Sequence, residues 1–260
     1  LRIILMGKVI AIVNQKGGVG KTTTTINLGA SLAFENRRVL VVDFDQQANA
    51  TIGLGINREN IQIDVIDFLL DETIGTKAII PEISPKLDII PASIRLSELE
   101  QMMYGVEGKE WLLAKRLENI KDYYDFVLID CPPSLGLSVD NALLASDSVI
   151  IPVECGFYAY DALTQMVNKI DQIQHLKDLH IEGILLTKLD NRNTFGYKIA
   201  DMVKFLFPGK TFKTVISTSS HIQEAPMHGK SVIQFSFNSR GSKEYRELAK
   251  ELLMNQKVGI

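Results

Sequence analysis

The chain is 260 residues long and 46% hydrophobic, with 28 basic and 31 acidic side chains and a net charge of −3. That is enough for one large buried core of α/β size, while the charge alone argues neither for nor against nucleic acid. The two cysteines, Cys131 and Cys155, have no paired spacing, which excludes a disulfide framework and suits a reducing cytoplasm.

Residues 1–6 are apolar, but too short for a secretory core and far too short to span a bilayer. Met6-Gly7 would signal myristoylation only with Ser or Thr at position 11, where Ala11 stands. A single domain is expected over 8–255, with 1–7 and 256–260 as terminal tails.

The apolar run 9–13 predicts a strand over 8–13. It leads through Lys16-Gly17-Gly18-Val19-Gly20-Lys21-Thr22 into a predicted helix over 21–35. A buried strand that ends in a glycine-rich loop and opens a helix is a phosphate cradle. Glycines let backbone N–H groups converge on anionic oxygens without Cβ obstruction. The helix adds the positive end of its dipole. Gly17, Gly18, Val19, Gly20, Lys21, Thr22 and Thr23 are therefore the candidate nucleotide-binding residues. Lys21 is expected to reach the β- and γ-phosphates and the Thr22 hydroxyl to ligate Mg²⁺. The standard loop wants glycine where Gln15 stands, and a second lysine, Lys16, opens the loop instead.

A strand over 38–43 comes next, running into Asp43-Phe44-Asp45-Gln46-Gln47-Ala48-Asn49. After the turn-rich stretch 51–61 the pattern gives a helix over 64–71, a strand over 87–90 and a helix over 109–121. The strand over 125–130 ends in Asp130, which fits a carboxylate that holds Mg²⁺ through water. Pro132, Pro133 and Gly136 fit a switch loop near the γ-phosphate, and Cys131 reads as a small residue at a strand end. Helix 138–145, strand 148–153, helix 160–175, strand 182–187, helix 196–206, strand 212–216 and helix 242–255 complete the order. This alternation implies a doubly wound, mostly parallel sheet flanked by helices, with ligands at the carboxyl ends of the strands.

From Lys188 onward there are 12 basic and 6 acidic residues, so a basic C-terminal third sits on an acidic body. The last predicted helix carries Leu248, Leu252 and Leu253 among Glu244, Glu247 and Glu251. It reads as a closing helix packed on the sheet, so no stable membrane association is expected. His175, His180, His221 and His228 have no metal-ligand spacing, and Trp111 reads as a packing residue.

The stretch 14–25, with 42–49, 130–134 and Glu224-Ala225-Pro226…Gly229-Lys230, resembles in order the motifs of ParA-type partition ATPases of the ParA/MinD superfamily with a deviant Walker A loop. The resemblance runs from Lys8 to about Leu252 and implies a P-loop NTPase fold. It also implies ATP and Mg²⁺ as cofactors, and an ATP-dependent homodimer with two nucleotides sandwiched between subunits. Lys16 would then reach the partner's phosphates, Asp45 would orient the attacking water, and Asp43 would lie near the metal beside Thr22 and Asp130. The catalytic set it implies is Lys16, Lys21 and Asp45. The family usually has proline where Gln46 stands.

The same resemblance implies a cytoplasmic protein that binds non-specific double-stranded DNA and associates with the nucleoid when ATP-loaded, with a ParB-like centromere-binding partner that stimulates hydrolysis. Arg192 matches a basic family position, but no arginine precedes Glu224. Lys198, Lys230, Arg240 and Lys243 are further candidates for phosphate contacts, with Lys204, Lys210 and Lys213. Three other readings of the machinery are positioning of a non-DNA cargo, MinD-like membrane positioning, and redox work like that of the nitrogenase iron protein, which needs bridging cysteines. The loop 187–193 is the candidate for adenine.

Overall fold

The computed structural model describes residues 7–190, 192 and 194–258. Of the expected tails at 1–7 and 256–260, residues 1–6 and 259–260 lie outside the described residues, as do positions 191 and 193 of the loop after 187, while residues 256–258 continue the last helix.

Among those residues seven strands form one sheet in the order β3-β4-β2-β5-β1-β6-β7. They are β1 (Lys8–Ile12), β2 (Val39–Asp43), β3 (Ile80–Ser84), β4 (Leu87–Ile90), β5 (Phe126–Asp130), β6 (Ser148–Glu154) and β7 (His180–Thr187). Every pairing is parallel except β3 with β4. The helices are α1 (Lys21–Phe34), α2 (Asn49–Gly53), α3 (Val65–Leu70), α4 (Leu99–Met102), α5 (Leu112–Glu118), α6 (Leu137–Ala145), α7 (Ala159–Gln174), α8 (Thr194–Leu206), α9 (Ser220–Glu224), α10 (Val232–Phe235) and α11 (Arg240–Val258).

The central strands are apolar on both faces because both faces are covered. Val9, Ala11, Leu40 and Val42 face one core with α3, α5, α6, α7 and α8. Ile10, Ile12, Val39 and Val41 face the other, with α1, α10 and α11. Alternate residues of one strand thus enter opposite cores, as the two-residue period requires. The doubly wound, mostly parallel sheet flanked by helices is what the alternation predicted.

Three elements differ from expectation. Segment 212–216 runs beside β7, with Phe212 N–H and Ile216 N–H donating to Ile184 O and Leu186 O, but only isolated bridges flank it, at Thr211 and Ser217. Two of its amides are taken by an acid of α11: Glu251 accepts from Lys213 N at 2.6 Å and Thr214 N at 2.9 Å. Helix 109–121 is broken into a 3-10 turn at Lys109–Trp111, α5, and a second turn at Lys121–Tyr123. The edge strand β3 carries no apolar run, since Pro81 and Glu82 interrupt it and Glu82 has φ 52°.

Register carries the fold to the site. Ile12 pairs with Asp130, and Asp130 pairs with Asp43. The ends of β1, β5 and β2 are therefore one row at the carboxyl edge of the sheet, where such sheets bind ligands.

Candidate functional site

The loop leaving β1 reaches α1 through Gly18 (φ 75°) and Gly20 (φ 97°), left-handed conformations that a side chain would resist. Gly20 is the residue before α1, and no side chain caps that helix end, so its free amides face the loop. Below the loop, Asn14 holds the turn: its Nδ2 donates to Pro152 O at 2.7 Å and its Oδ1 accepts from Lys16 N at 3.0 Å. From the far side Thr187 Oγ1 donates to Val19 O at 2.8 Å.

Lys21 is buried, 6% exposed, with Nζ 3.4 Å from Lys16 O. Burial lowers its pKa, against the pull of Asp130, Cys131 and Asp45. Asp130 is fully buried; Thr25 Oγ1 donates to its Oδ1 at 3.2 Å, and its Oδ2 has no hydrogen-bond partner. Burial, then the neighbouring Asp43 carboxylate, pushes the Asp130 pKa well up, while Thr22 opposes the rise. A buried, unpartnered carboxylate oxygen among like charges is short of a cation. Among the described residues no three His, Cys, Asp or Glu side chains form a metal cage, and Mg²⁺ does not use one: it takes one or two protein oxygens and completes its shell with phosphate and water. Asp130 and Thr22 fit that ion.

Asp43 is in the same row, and its charge acts on Asp130 beside it. Its Oδ2 accepts from Thr51 N at 2.8 Å and Thr51 Oγ1 at 2.7 Å, and its Oδ1 from Asp45 N at 3.3 Å. Burial pushes it up to about 6 against those bonds. With both oxygens engaged, Asp43 anchors α2 and the 44–48 loop from beside Asp130. Asp45 is 5% exposed and steadies the turn by accepting from Gln47 N at 3.0 Å. Gln46, at the family's proline position, is exposed.

Lys16 points within its own chain. Its Nζ is 2.8 Å from Glu154 Oε2 at the end of β6, with both side chains about one-third exposed (31% and 33%). Lys16 lowers the Glu154 pKa. Beside Gly20 and Thr23 a cleft of about 350 Å³ opens, walled by Thr187, Lys188, Ile216, Ser217, Ile222 and Pro226. It takes in the start of the loop considered for adenine, and adds the 216–226 segment.

The basic candidates do not share one layer. Lys198 and Lys204 are exposed on α8, whose buried side packs in the first core; Lys230, Arg240 and Lys243 lie by α10 and α11, which pack in the second. Arg192 is paired with Asp190 (Nη2 to Oδ2 3.0 Å) and Arg240 with Glu244 (2.7 Å).

Thr51 and Glu154 are the site residues that sequence reasoning missed, and both depend on register between distant strands. Asn14 and Thr25 lie within the motif stretch 14–25 and Thr187 opens the loop considered for adenine; what the structure adds is their hydrogen bonds to Pro152, Asp130 and Val19.

A family model described as an AAA domain matches residues 7–182. The chain is 48% identical over 252 residues to the sporulation initiation inhibitor protein Soj of Bacillus subtilis, covering 96% of this chain and 100% of that protein. It is 39% identical over 250 residues to the chromosome partitioning protein ParA of Myxococcus xanthus, covering 95% and 88%. Among solved structures, cobyrinic acid a,c-diamide synthase of Mycobacterium smegmatis with bound ADP and magnesium superposes with TM-score 0.85 at 32% identity, covering 98% of this chain and 97% of that one.

Proposed function

Because this chain belongs to the ParA/Soj family of partition ATPases, we propose that it is an ATP-driven switch that segregates plasmid or chromosomal DNA. In this reading residues 8–255 act as one unit that pairs with a second copy when loaded with ATP. The pair grips double-stranded DNA of any sequence on the nucleoid, and a ParB-like partner triggers hydrolysis and release.

The observation that carries the reading is the phosphate cradle of α1 set against the carboxylate row on one sheet edge. ATP and Mg²⁺ fit it: Thr22 and Asp130 hold the metal, which when bound neutralises charge on the phosphates. Lys21 and the backbone N–H groups of 17–20 bind and orient the phosphates. Asp45 holds the attacking water. Lys16 lies on Glu154 in the single chain, and must leave it to meet a partner's phosphates. Pairing and hydrolysis are thereby linked, and loss of the γ-phosphate relaxes the switch loops.

Sedimentation and duplex binding with ATP, ADP and no nucleotide test the reading. Dimerisation and sequence-independent, salt-sensitive binding with ATP alone are expected. The ion pairs of Arg192 and Arg240 favour a second reading, positioning of a cargo other than DNA. An ATP dimer that binds no duplex at low salt would turn the reading to that one. Membrane positioning is not proposed: Tyr245, Leu248, Ala249 and Leu252, the apolar stripe of α11, are buried in the second core.

A further inference from the structure

The loop 131–136 joins Asp130 to α6, and its far end is held by a side chain from another segment. Gly136, at the start of α6, offers no side chain to cap the helix. Glu100 caps it instead: Oε1 accepts the Leu137 N–H at 3.0 Å, one of the amides a helix start leaves unpaired. A carboxylate there also meets the positive end of the dipole. The same oxygen stands 2.5 Å from where a Cβ on residue 136 would be. With φ −178° and ψ −171° the backbone is extended, and a Cβ at residue 136 would push this flexible carboxylate off the Leu137 amide.

Glu100 is itself exposed, but it follows buried Leu96 and Leu99, and its segment is tied to α3, where Arg95 donates to both oxygens of Asp67 at 2.9 Å each. The segment also reaches the carboxylate row. Ala92 N–H donates to Thr51 Oγ1 at 3.1 Å, and Thr51 donates to Asp43. A closed circuit therefore runs from Asp43 through Thr51, Ala92 and Glu100 to Gly136, and back along the loop to Asp130.

We propose that Glu100 is a positioning residue for hydrolysis, which fixes the end of the 131–136 loop by accepting the Leu137 N–H beside Gly136. It touches no reacting atom and acts through the loop. The inference rests on the reading of Asp130 as the metal-holding carboxylate.

The test uses the full chain: single-turnover hydrolysis of bound ATP with Mg²⁺, ATP affinity, and thermal unfolding. The variants are Glu100→Ala, Glu100→Gln, Gly136→Ala and the Glu100→Ala/Gly136→Ala double, with Asp130→Asn as control. Small misplacements near reacting groups are costly, so Glu100→Ala and Gly136→Ala should each slow hydrolysis about tenfold while ATP affinity stays within about twofold. Glu100→Gln keeps an accepting oxygen and should stay within about threefold of the unmodified rate. In the double variant the added Cβ meets no carboxylate, so it should be no slower than Glu100→Ala alone. Unchanged hydrolysis in Glu100→Ala, a Gln variant as slow as Ala, slowing that multiplies in the double, or rate and affinity that fall together with stability would each overturn the proposal. Normal hydrolysis by Asp130→Asn would instead overturn the reading of the site.

Discussion

Thr51→Val removes one hydroxyl at nearly constant volume, and the structure fixes what is lost. Thr51 is fully buried. Its Oγ1 donates to Asp43 Oδ2 at 2.7 Å and accepts the Ala92 N–H at 3.1 Å. Its own N–H, 2.8 Å from the same carboxylate oxygen, survives the change. The bond to a buried carboxylate is worth about 1.5–3 kcal/mol, and the stranded Ala92 amide adds about 1 kcal/mol. The sum, roughly 3 kcal/mol, lowers Tm by about 6–12 °C for a chain of this size. Urea and thermal unfolding followed by circular dichroism measure it, with the urea slope unchanged. Thr51→Ser, which keeps the hydroxyl, should lose about 1 kcal/mol or less. A loss below about 1 kcal/mol for valine, or a serine variant as unstable as valine, would refute the assignment of this hydroxyl to Asp43 and Ala92.

Glu154→Gln should tighten the ATP-dependent dimer. A one-third-exposed pair is worth about 0.5 kcal/mol, and two copies release about 1 kcal/mol, or roughly fivefold in the dimer dissociation constant; sedimentation equilibrium reads it, and an equal or weaker dimer counts against a parked Lys16. Asp45→Ala should bind ATP normally and fail to turn it over; nucleotide affinity lost in parallel with turnover would remove Asp45 from its water-orienting role. Glu182 gives a pH signature. Burial opposes its charge, but His180 and Lys8 (Nζ to Oε2 2.5 Å) outweigh that and lower its pKa to about 2 from 4.5. A depressed folded pKa means stability that is present above about pH 4.5 and lost as pH falls towards 2, roughly 2–3 kcal/mol in all. Asp43, pushed up, has the opposite sign, so the Glu182 contribution is read as the difference between the unmodified chain and Glu182→Gln across pH 5 to 2.5; parallel curves would contradict it.

What could be read from sequence was what is local. The run 9–13, the glycines and Lys21 are contiguous, so strand, loop and helix declare themselves together. Asp130 and Asp43 were legible as polar residues closing apolar strands. Their adjacency was not, because it depends on the order β2-β5-β1. Glu154 was invisible as a partner for Lys16, since that depends on β6 lying directly beside β1 on its other edge. Segment 212–216 misled for a related reason: its apolar period suits a strand, yet its amides bond to Glu251, 38 residues away from Lys213. The spread of basic residues over two layers was hidden likewise, because a charge count along a chain carries no direction.

The acids of α11 have a consequence for the end of the chain. Glu244 accepts from both the amide and the hydroxyl of Ser217 at 2.8 Å, and Ser217 and Tyr245 line the cleft beside Gly20. The terminal helix therefore props one wall of the pocket, and whatever fills the cleft must strengthen the helix in return. At a ligand concentration 100 times its dissociation constant that reciprocal gain is about 2.7 kcal/mol. Helix α11, more than 200 residues after the phosphate loop, thus becomes its gauge: amide exchange and protease cleavage along it should slow when nucleotide binds, and a bulky tag or a truncation there should weaken binding without touching a single phosphate contact.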